Sequence, residues 1–130
     1  MDYRLDPEHP YPAALDDCLG VTKRLLEDGA GLGLDPARIA VTGDSAGGNM
    51  AAVAAQTLPG IAHQALVFAV LDLAGIGATA SYREFGSGYF LTRRDMDYFA
   101  RSYAAATTRP TRDCHRSAPR PCAGSPRPRS

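Results

Sequence analysis

The chain has 130 residues, 45% of them hydrophobic and 22% charged, a composition typical of one modest globular domain. Its 14 Lys and Arg balance its 14 Asp and Glu, which argues against a nucleic-acid or anionic-membrane partner. No apolar run approaches the roughly 20 residues of a membrane span, no signal peptide is recognised, and the three cysteines lack metal-ligand spacing. We therefore expect a cytoplasmic protein without a metal or other cofactor.

The charge is unevenly distributed along the chain. Residues 1–106 hold 8 Lys and Arg against 13 Asp and Glu, a balance of −5, whereas residues 107–130 hold 6 Arg and one Asp, a balance of +5. The second stretch also holds five of the ten prolines and has no Val, Ile, Leu, Met or aromatic residue. Because such a segment has little apolar surface to bury, we expect a disordered tail over residues 107–130 behind a folded body over residues 1–106.

The body is predicted to alternate helices with strands. In chain order we expect a strand end and loop over residues 1–12, a helix over 13–28, a strand over 38–42, a helix over 49–57, a strand over 65–71 and a helix over 92–103. The run ALVFAVL in the second strand is typical of a parallel strand buried on both faces. Thr92 and Asp95 are spaced nearly as a capping box at the start of the last helix. The pattern predicts an α/β fold with a parallel sheet and flanking helices.

The strongest chemical signal is Gly43-Asp44-Ser45-Ala46-Gly47, a G-x-S-x-G between a predicted strand and a predicted helix. A nucleophile elbow needs this spacing, because its serine occupies a strained turn and the flanking glycines let strand and helix approach each other. The turn presents the serine hydroxyl at a helix N-terminus, where the backbone N–H of the next residue, here Ala46, can stabilise an oxyanion. The alternative is a glycine-rich turn in which Ser45 only caps the helix.

Three separated blocks give this motif a context: DYRLDPEHPYPAALDD, DPARIAVTGDSAGGNMAAVAAQ and SYREFGSGYFLTRRDM. In this order they closely resemble successive segments of the hormone-sensitive-lipase-like branch of the α/β-hydrolases, which contains many bacterial carboxylesterases. The resemblance covers roughly residues 1–106 and implies a partial α/β-hydrolase fold, truncated at both ends. It further implies Ser45 as the acylated nucleophile, the Ala46 N–H as one oxyanion donor, and a small-molecule carboxylic ester as the substrate.

The resemblance also implies parts that have no match here. The family supplies its other oxyanion donors from a His-Gly-Gly-Gly segment ahead of the first block, and its catalytic acid and histidine come well after residue 106. His9, His63 and His115 match no base position, and Asp44 and Asp72 are equally poor candidates for the acid. We therefore expect little or no hydrolysis, and the alternative is a non-catalytic remnant or an interaction module derived from a hydrolase.

The tail suggests a hypothesis of its own. After SYAAA the family continues with Asp-Pro-Arg, Ser-Pro-Leu and Gly-Leu-Pro-Pro-Ala, and codons for residues 111–118 and 122–128 can encode such words when read one nucleotide out of register. We therefore interpret residues 107–130 as the product of a frameshift, which explains their Arg and Pro content without a binding function. The alternative is a basic interaction tail for nucleic acid or an acidic partner.

Overall fold

A computed structural model describes residues 1–104 of the chain. This part contains four α-helices and a two-stranded parallel sheet. In chain order its elements are α1 (Ala13–Asp28), 3-10 turns at Gly29–Leu32 and Pro36–Arg38, β1 (Ala40–Asp44), α2 (Ser45–Thr57), β2 (His63–Val67), α3 (Ala80–Phe85) and α4 (Arg93–Ala104). The expectations of a disordered tail and of a frameshift over residues 107–130 lie outside the described residues.

The strands β1 and β2 and the helix α2 form one parallel βαβ unit. The strands pair in register from Ala40 opposite His63 to Asp44 opposite Val67, so that both strands end at the same level. The crossover helix α2 contacts both strands, and α1 packs on α2. A parallel pair requires a crossover of this kind. The predicted class, an α/β fold with a parallel sheet and flanking helices, is confirmed.

Both strands lie at other positions than the sequence pattern predicts. The first begins at Ala40 rather than at residue 38, because Asp35 accepts a hydrogen bond from the Ala37 N–H at 3.0 Å and starts a 3-10 turn there. The second runs over His63–Val67 instead of 65–71 and ends where Phe68 adopts a left-handed φ of 48°. Its side chains are mostly exposed within residues 1–104. The expectation of a strand buried on both faces is therefore wrong for this part of the chain.

The predicted helices are found, with one of them extended and a further one added. The helix α1 has the predicted bounds, and α4 follows the predicted cap. The Thr92 hydroxyl donates to Asp95 Oδ2 at 2.7 Å and accepts from the Asp95 N–H at 3.3 Å, and the Thr92 N–H also donates to Oδ2 at 3.0 Å. These bonds confirm the capping box and lower the pKa of Asp95. The short helix α3 is not predicted, and α2 starts at Ser45 rather than at residue 49.

The core lies between α1 and α2. Its buried cluster consists of Ala14, Leu15, Cys18, Met50 and Val53. Every residue of α2 from Gly48 to Ala54 is buried, whereas α3 and α4 have no buried residue. Small side chains along α2 let the helix lie close to the sheet. No helix within residues 1–104 combines the length and the apolar character needed to cross a bilayer.

The opening segment forms turns and joins two helices, where the sequence predicts the end of a strand. The Arg4 guanidinium contacts the Asp17 carboxylate of α1 with Nη2 at 2.7 Å from Oδ1, and the Arg4 N–H donates to Oδ2 at 3.0 Å. These bonds lower the pKa of Asp17 to about 2. The Tyr11 N–H donates to the Tyr103 carbonyl at 3.0 Å, and the two rings meet edge to face at 5.4 Å. The segment thereby bridges α1 and the end of α4.

Candidate functional site

The glycine-rich turn joins β1 directly to α2. Ser45 is the first residue of α2 and has a φ of 50°, a left-handed conformation that costs a non-glycine residue roughly 1–2 kcal/mol. Asp44 occupies the N-cap position with an extended backbone and makes no side-chain cap bond. The alternative in which Ser45 itself caps the helix therefore does not describe this turn. Ser45 is half-buried, and Ala46, whose N–H follows it, is exposed.

The close approach of strand and helix depends on Gly43 and Gly48. A Cβ added at Gly43 would collide with the backbone of Gly47. A Cβ at Gly48 would lie 2.7 Å from the Cβ of Ala69 and 3.0 Å from the carbonyl oxygen of Gly43. A Cβ at Gly47 would meet no described atom within 4 Å. The steric role that the motif predicts for its second glycine is therefore carried by Gly48, which lies one residue beyond the pattern.

Two cavities meet at Ser45. One has a volume of about 330 Å³ and lies against α2 and α4. The other, of about 500 Å³, lies toward the loop after β2 and toward α3. The cavities share Ser45, Val70, Leu91 and Met96. Volumes of this size accommodate small organic ligands.

Asp6 and Tyr82 are two ionisable cavity residues among those that sequence reasoning did not single out as site candidates. Asp6 lines the smaller cavity beside Ser45, although 39 positions separate the two residues in the chain. Asp6 belongs to the DYRLDPE block, but no local pattern indicates that it lines a cavity together with Ser45. Tyr82 lines the larger cavity, and its pKa is raised by burial and by the nearby Asp72 carboxylate. Its phenol therefore stays protonated at neutral pH.

The backbone of Val70 connects the loop after β2 to the first turn of α2. Its N–H donates to the Ser45 carbonyl at 3.2 Å. Its own carbonyl accepts a hydrogen bond from Asn49 Nδ2 at 2.7 Å. Asn49 is 7% exposed, so its amide is one of the few buried polar groups among residues 1–104. These two bonds hold the loop after β2 against Ser45.

No histidine accompanies Ser45 within residues 1–104. Within this range neither His9 nor His63 lines either cavity. His63 opens β2 opposite Ala40, at the other end of the sheet from the motif. His115 lies outside the described residues. The structure therefore brings none of the described histidines to the serine.

The two aspartates considered as acids are not placed beside an imidazole. Asp44 is exposed at the end of β1. Asp72 lines the larger cavity, and its Oδ1 accepts a hydrogen bond from the Gly75 N–H at 2.9 Å, which closes a local turn. In the described part of the chain, no group of three or more His, Cys, Asp and Glu side chains could hold a metal ion.

The chain is similar to several esterases and matches a family model described as alpha/beta hydrolase fold over residues 1–125. The carboxylesterase NlhH of Mycobacterium tuberculosis is 54% identical over 71 residues, which are 55% of this chain and 22% of that protein. The carboxylic ester hydrolase LipN of the same organism is 39% identical over 113 residues, covering 79% of this chain and 30% of LipN. EstE1, a thermostable carboxylesterase from a metagenomic library, has a crystal structure that aligns with a TM-score of 0.75 and 37% identity over 90% of this chain and 41% of its own. The chain thus spans from 22% to 41% of the length of these relatives.

Proposed function

Because the chain belongs to the α/β-hydrolase fold family, we propose that it carries the nucleophile of a carboxylic-ester hydrolase and that this nucleophile is Ser45. One observation carries the proposal: a serine in a left-handed conformation stands at a strand-to-helix turn and opens on two cavities. Backbone strain of this kind at a residue with a reactive side chain marks functional turns. The similarity to proteins named carboxylesterase and carboxylic ester hydrolase supports the reaction class.

The reaction proceeds through an acyl-enzyme. The Ser45 Oγ attacks the ester carbonyl carbon, its proton passes to a base, and the carbonyl oxygen becomes an oxyanion. The Ala46 N–H, in the first turn of α2, donates a hydrogen bond to that oxyanion. Collapse of the tetrahedral intermediate releases the alcohol with a proton, and water then hydrolyses the ester bond between the acyl group and Ser45.

Among residues 1–104, no histidine lies in the cavities at Ser45 to act as the general base. Loss of one triad member lowers the rate of a serine hydrolase on the order of 10⁴-fold or more. We therefore expect a polypeptide limited to these 130 residues to hydrolyse esters weakly or not at all. The absence of a histidine from both cavities in the described range favours a second candidate, a non-catalytic module derived from a hydrolase.

The substrate proposed is a small-molecule ester. Cavities of about 330 and 500 Å³ suit an acyl or alcohol group of modest size rather than a polymer. The balance of −5 over residues 1–106 gives no basis for binding nucleic acid or an anionic membrane. A reducing, cytoplasmic location suits Cys18, a buried free thiol.

The experiment compares the chain with its Ser45→Ala variant, using a fluorophosphonate probe and p-nitrophenyl acetate. Ser87→Ala is the matched control, because Ser87 is exposed and lines neither cavity. We expect slow probe labelling in the unmodified chain and in Ser87→Ala, since Ser45 lacks a base, and none in Ser45→Ala. Labelling that persists in Ser45→Ala contradicts the assignment of the nucleophile. Ester binding without labelling or turnover favours the non-catalytic module, and turnover well above background that depends on Ser45 contradicts the expected weak activity.

A further inference from the structure

Two strained residues follow directly after the paired ends of the parallel strands. Ser45 follows β1 with a φ of 50°, and Phe68 follows β2 with a φ of 48°. They are the non-glycine residues of positive φ within residues 1–104. Asp44 and Val67 are the last paired residues of the two strands, so Ser45 and Phe68 are the first residues beyond the pairing. Phe68 is 92% exposed, so packing of its ring does not explain the positive φ. The positive φ instead changes the direction of the backbone after β2.

The course of the backbone after Phe68 brings Val70 to α2. There the Val70 N–H donates to the Ser45 carbonyl at 3.2 Å, and the Val70 carbonyl accepts from Asn49 Nδ2 at 2.7 Å. Ser45 and Asn49 are four residues apart in a helix and therefore lie on one face of it. Both ends of the Val70 backbone are thus bound to one face of α2.

We propose that Asn49 is a positioning residue, whose amide holds the Val70 backbone against the Ser45 carbonyl and so fixes the peptide plane between Ser45 and Ala46. That plane is rigid, and in a trans peptide its C=O and N–H point in opposite directions. A bond that holds the Ser45 carbonyl therefore also sets the direction of the Ala46 N–H. The inference rests on the proposed function, in which this N–H is an oxyanion donor.

The burial of Asn49 supports this role over simple space filling. An amide at 7% exposure is costly unless it is hydrogen-bonded. Leucine has the same number and branching of side-chain heavy atoms and would fill the position without that cost. The distinguishing property of asparagine at this position is its N–H, and the Val70 carbonyl receives it at 2.7 Å.

The test uses residue-resolved NMR on the full 130-residue chain. Asn49→Leu removes the amide but keeps the branching of the side chain, and Asn49→Asp keeps the shape but loses the N–H donor. Thr22→Val is the matched control, because the Thr22 hydroxyl is also buried and also donates one bond of 2.7 Å to a backbone carbonyl, that of Cys18. Amide exchange reports the Val70 N–H bond. The intraresidue HN–Hα NOE, which is strong at positive φ, reports the conformation of Ser45.

We expect both Asn49 variants to speed exchange of the Val70 amide by roughly tenfold relative to the amides of α1, and to weaken the Ser45 NOE. Thr22→Val should change neither quantity. Unchanged Val70 exchange and an unchanged Ser45 NOE in Asn49→Asp overturn the inference. So does a uniform rise in exchange that includes α1, because it indicates a merely structural role. If Asn49→Leu does not fold, Asn49→Asp decides by the same criteria.

Fluorophosphonate labelling in the same samples separates this inference from the proposed function. We expect the labelling rate of Ser45 to fall about tenfold to hundredfold in the Asn49 variants, in line with the cost of a small misplacement at a reacting centre, and to be unchanged in Thr22→Val. An equal labelling rate in all four chains overturns the positioning role. An unmodified chain that is not labelled at all contradicts the nucleophile assignment, and the NMR measurements then decide the role of Asn49 alone.

Discussion

Ser45 adopts a backbone conformation that glycine adopts without strain. A left-handed non-glycine residue costs roughly 1–2 kcal/mol, whereas glycine loses about 0.5–1 kcal/mol through the entropy of the unfolded chain. The strain is the larger effect, so we expect Ser45→Gly to be more stable to urea than Ser45→Ala by about 0.5–1 kcal/mol. Both variants lack the hydroxyl and differ only in Cβ. Equilibrium unfolding followed by circular dichroism measures the difference.

Gln56 supplies the control for this comparison, because it is exposed in the same helix and has no positive φ. There Gln56→Gly should be less stable than Gln56→Ala by up to about 1 kcal/mol. The order of glycine and alanine is therefore expected to reverse between the two positions. The same order at both positions would falsify the strained conformation of Ser45.

Gly48 and Gly47 are adjacent, and the structure predicts opposite responses to one added methyl group. In Gly48→Ala the methyl meets the Cβ of Ala69 and the carbonyl of Gly43 below 3.1 Å, and overpacking of this kind costs about 1–3 kcal/mol. In Gly47→Ala the methyl meets nothing within 4 Å, and a helical alanine gains up to about 1 kcal/mol over glycine. Urea midpoints of the two variants test this expectation. Destabilisation by Gly47→Ala equal to that by Gly48→Ala would contradict it.

Among the elements, α4 depends on its first turn, because none of its residues is buried. We expect Thr92→Ala to destabilise the helix by about 0.5–2 kcal/mol, since the N–H bond of the cap and the bond to the carboxylate are both lost. Thr92→Ser retains the hydroxyl and should retain most of the stability. Amide exchange within α4 measures the effect. Equal exchange in the Ala and Ser variants would show that the hydroxyl does not stabilise α4.

The Asp95 carboxylate adds a pH dependence to the same turn. Its pKa is lowered by the bonds from Thr92, so its stabilising effect is complete above the ordinary pKa of about 3.9 and is lost as the pH falls through the lowered value. In Thr92→Ala the Asp95 pKa should return toward about 3.9. Carboxyl titration by NMR measures this pKa. A value that Thr92→Ala leaves unchanged would contradict the capping bonds as its cause.

The attachment of the opening segment to α1 depends on Arg4 and Asp17. Because the pKa of Asp17 is lowered to about 2, this contact stabilises the fold fully above pH about 3.9 and loses its effect as the pH falls toward 2. In Arg4→Gln we expect the Asp17 pKa to rise toward about 3.9. Lys23→Gln is the control, since Lys23 pairs with Glu27 on the same helix and not with Asp17. A low Asp17 pKa that survives Arg4→Gln would contradict the contact.

Local signals in the sequence predict some of these elements and not others. The bounds of α1 follow from its own apolar spacing and from the glycines behind it. The start of α2 is missed by four residues, because a helix that begins on a left-handed serine lacks the usual cap pattern. The limits of β2 are set by its pairing with β1 and by the turn at Phe68, which an apolar run does not encode. Likewise, the spacing of the motif indicates Ser45 but neither the place of Asp6 in the cavity nor the bond from Asn49, because both depend on segments distant in the chain.

For the whole molecule, the apparent neutrality of the chain is the sum of a body at −5 and a tail at +5. We propose that residues 107–130 are a frameshift product, supported by the family words that an alternative frame permits. Sequencing the encoding DNA tests this: we expect Asp-Pro-Arg, Ser-Pro-Leu and Gly-Leu-Pro-Pro-Ala in one shifted frame. DNA without these words in either shifted frame would contradict the proposal and favour a basic interaction tail.

The contrast between α2 and α4 determines where the chain can be engineered. From Gly48 to Ala54 every position of α2 is buried, so substitutions there that enlarge or shrink a side chain disturb the packing. Met96, Phe99 and Ala100 of α4 line the smaller cavity, yet none of them is buried. A mutant library on α4 can therefore reshape this cavity at little cost in folding, while the turn that holds Ser45 stays constant.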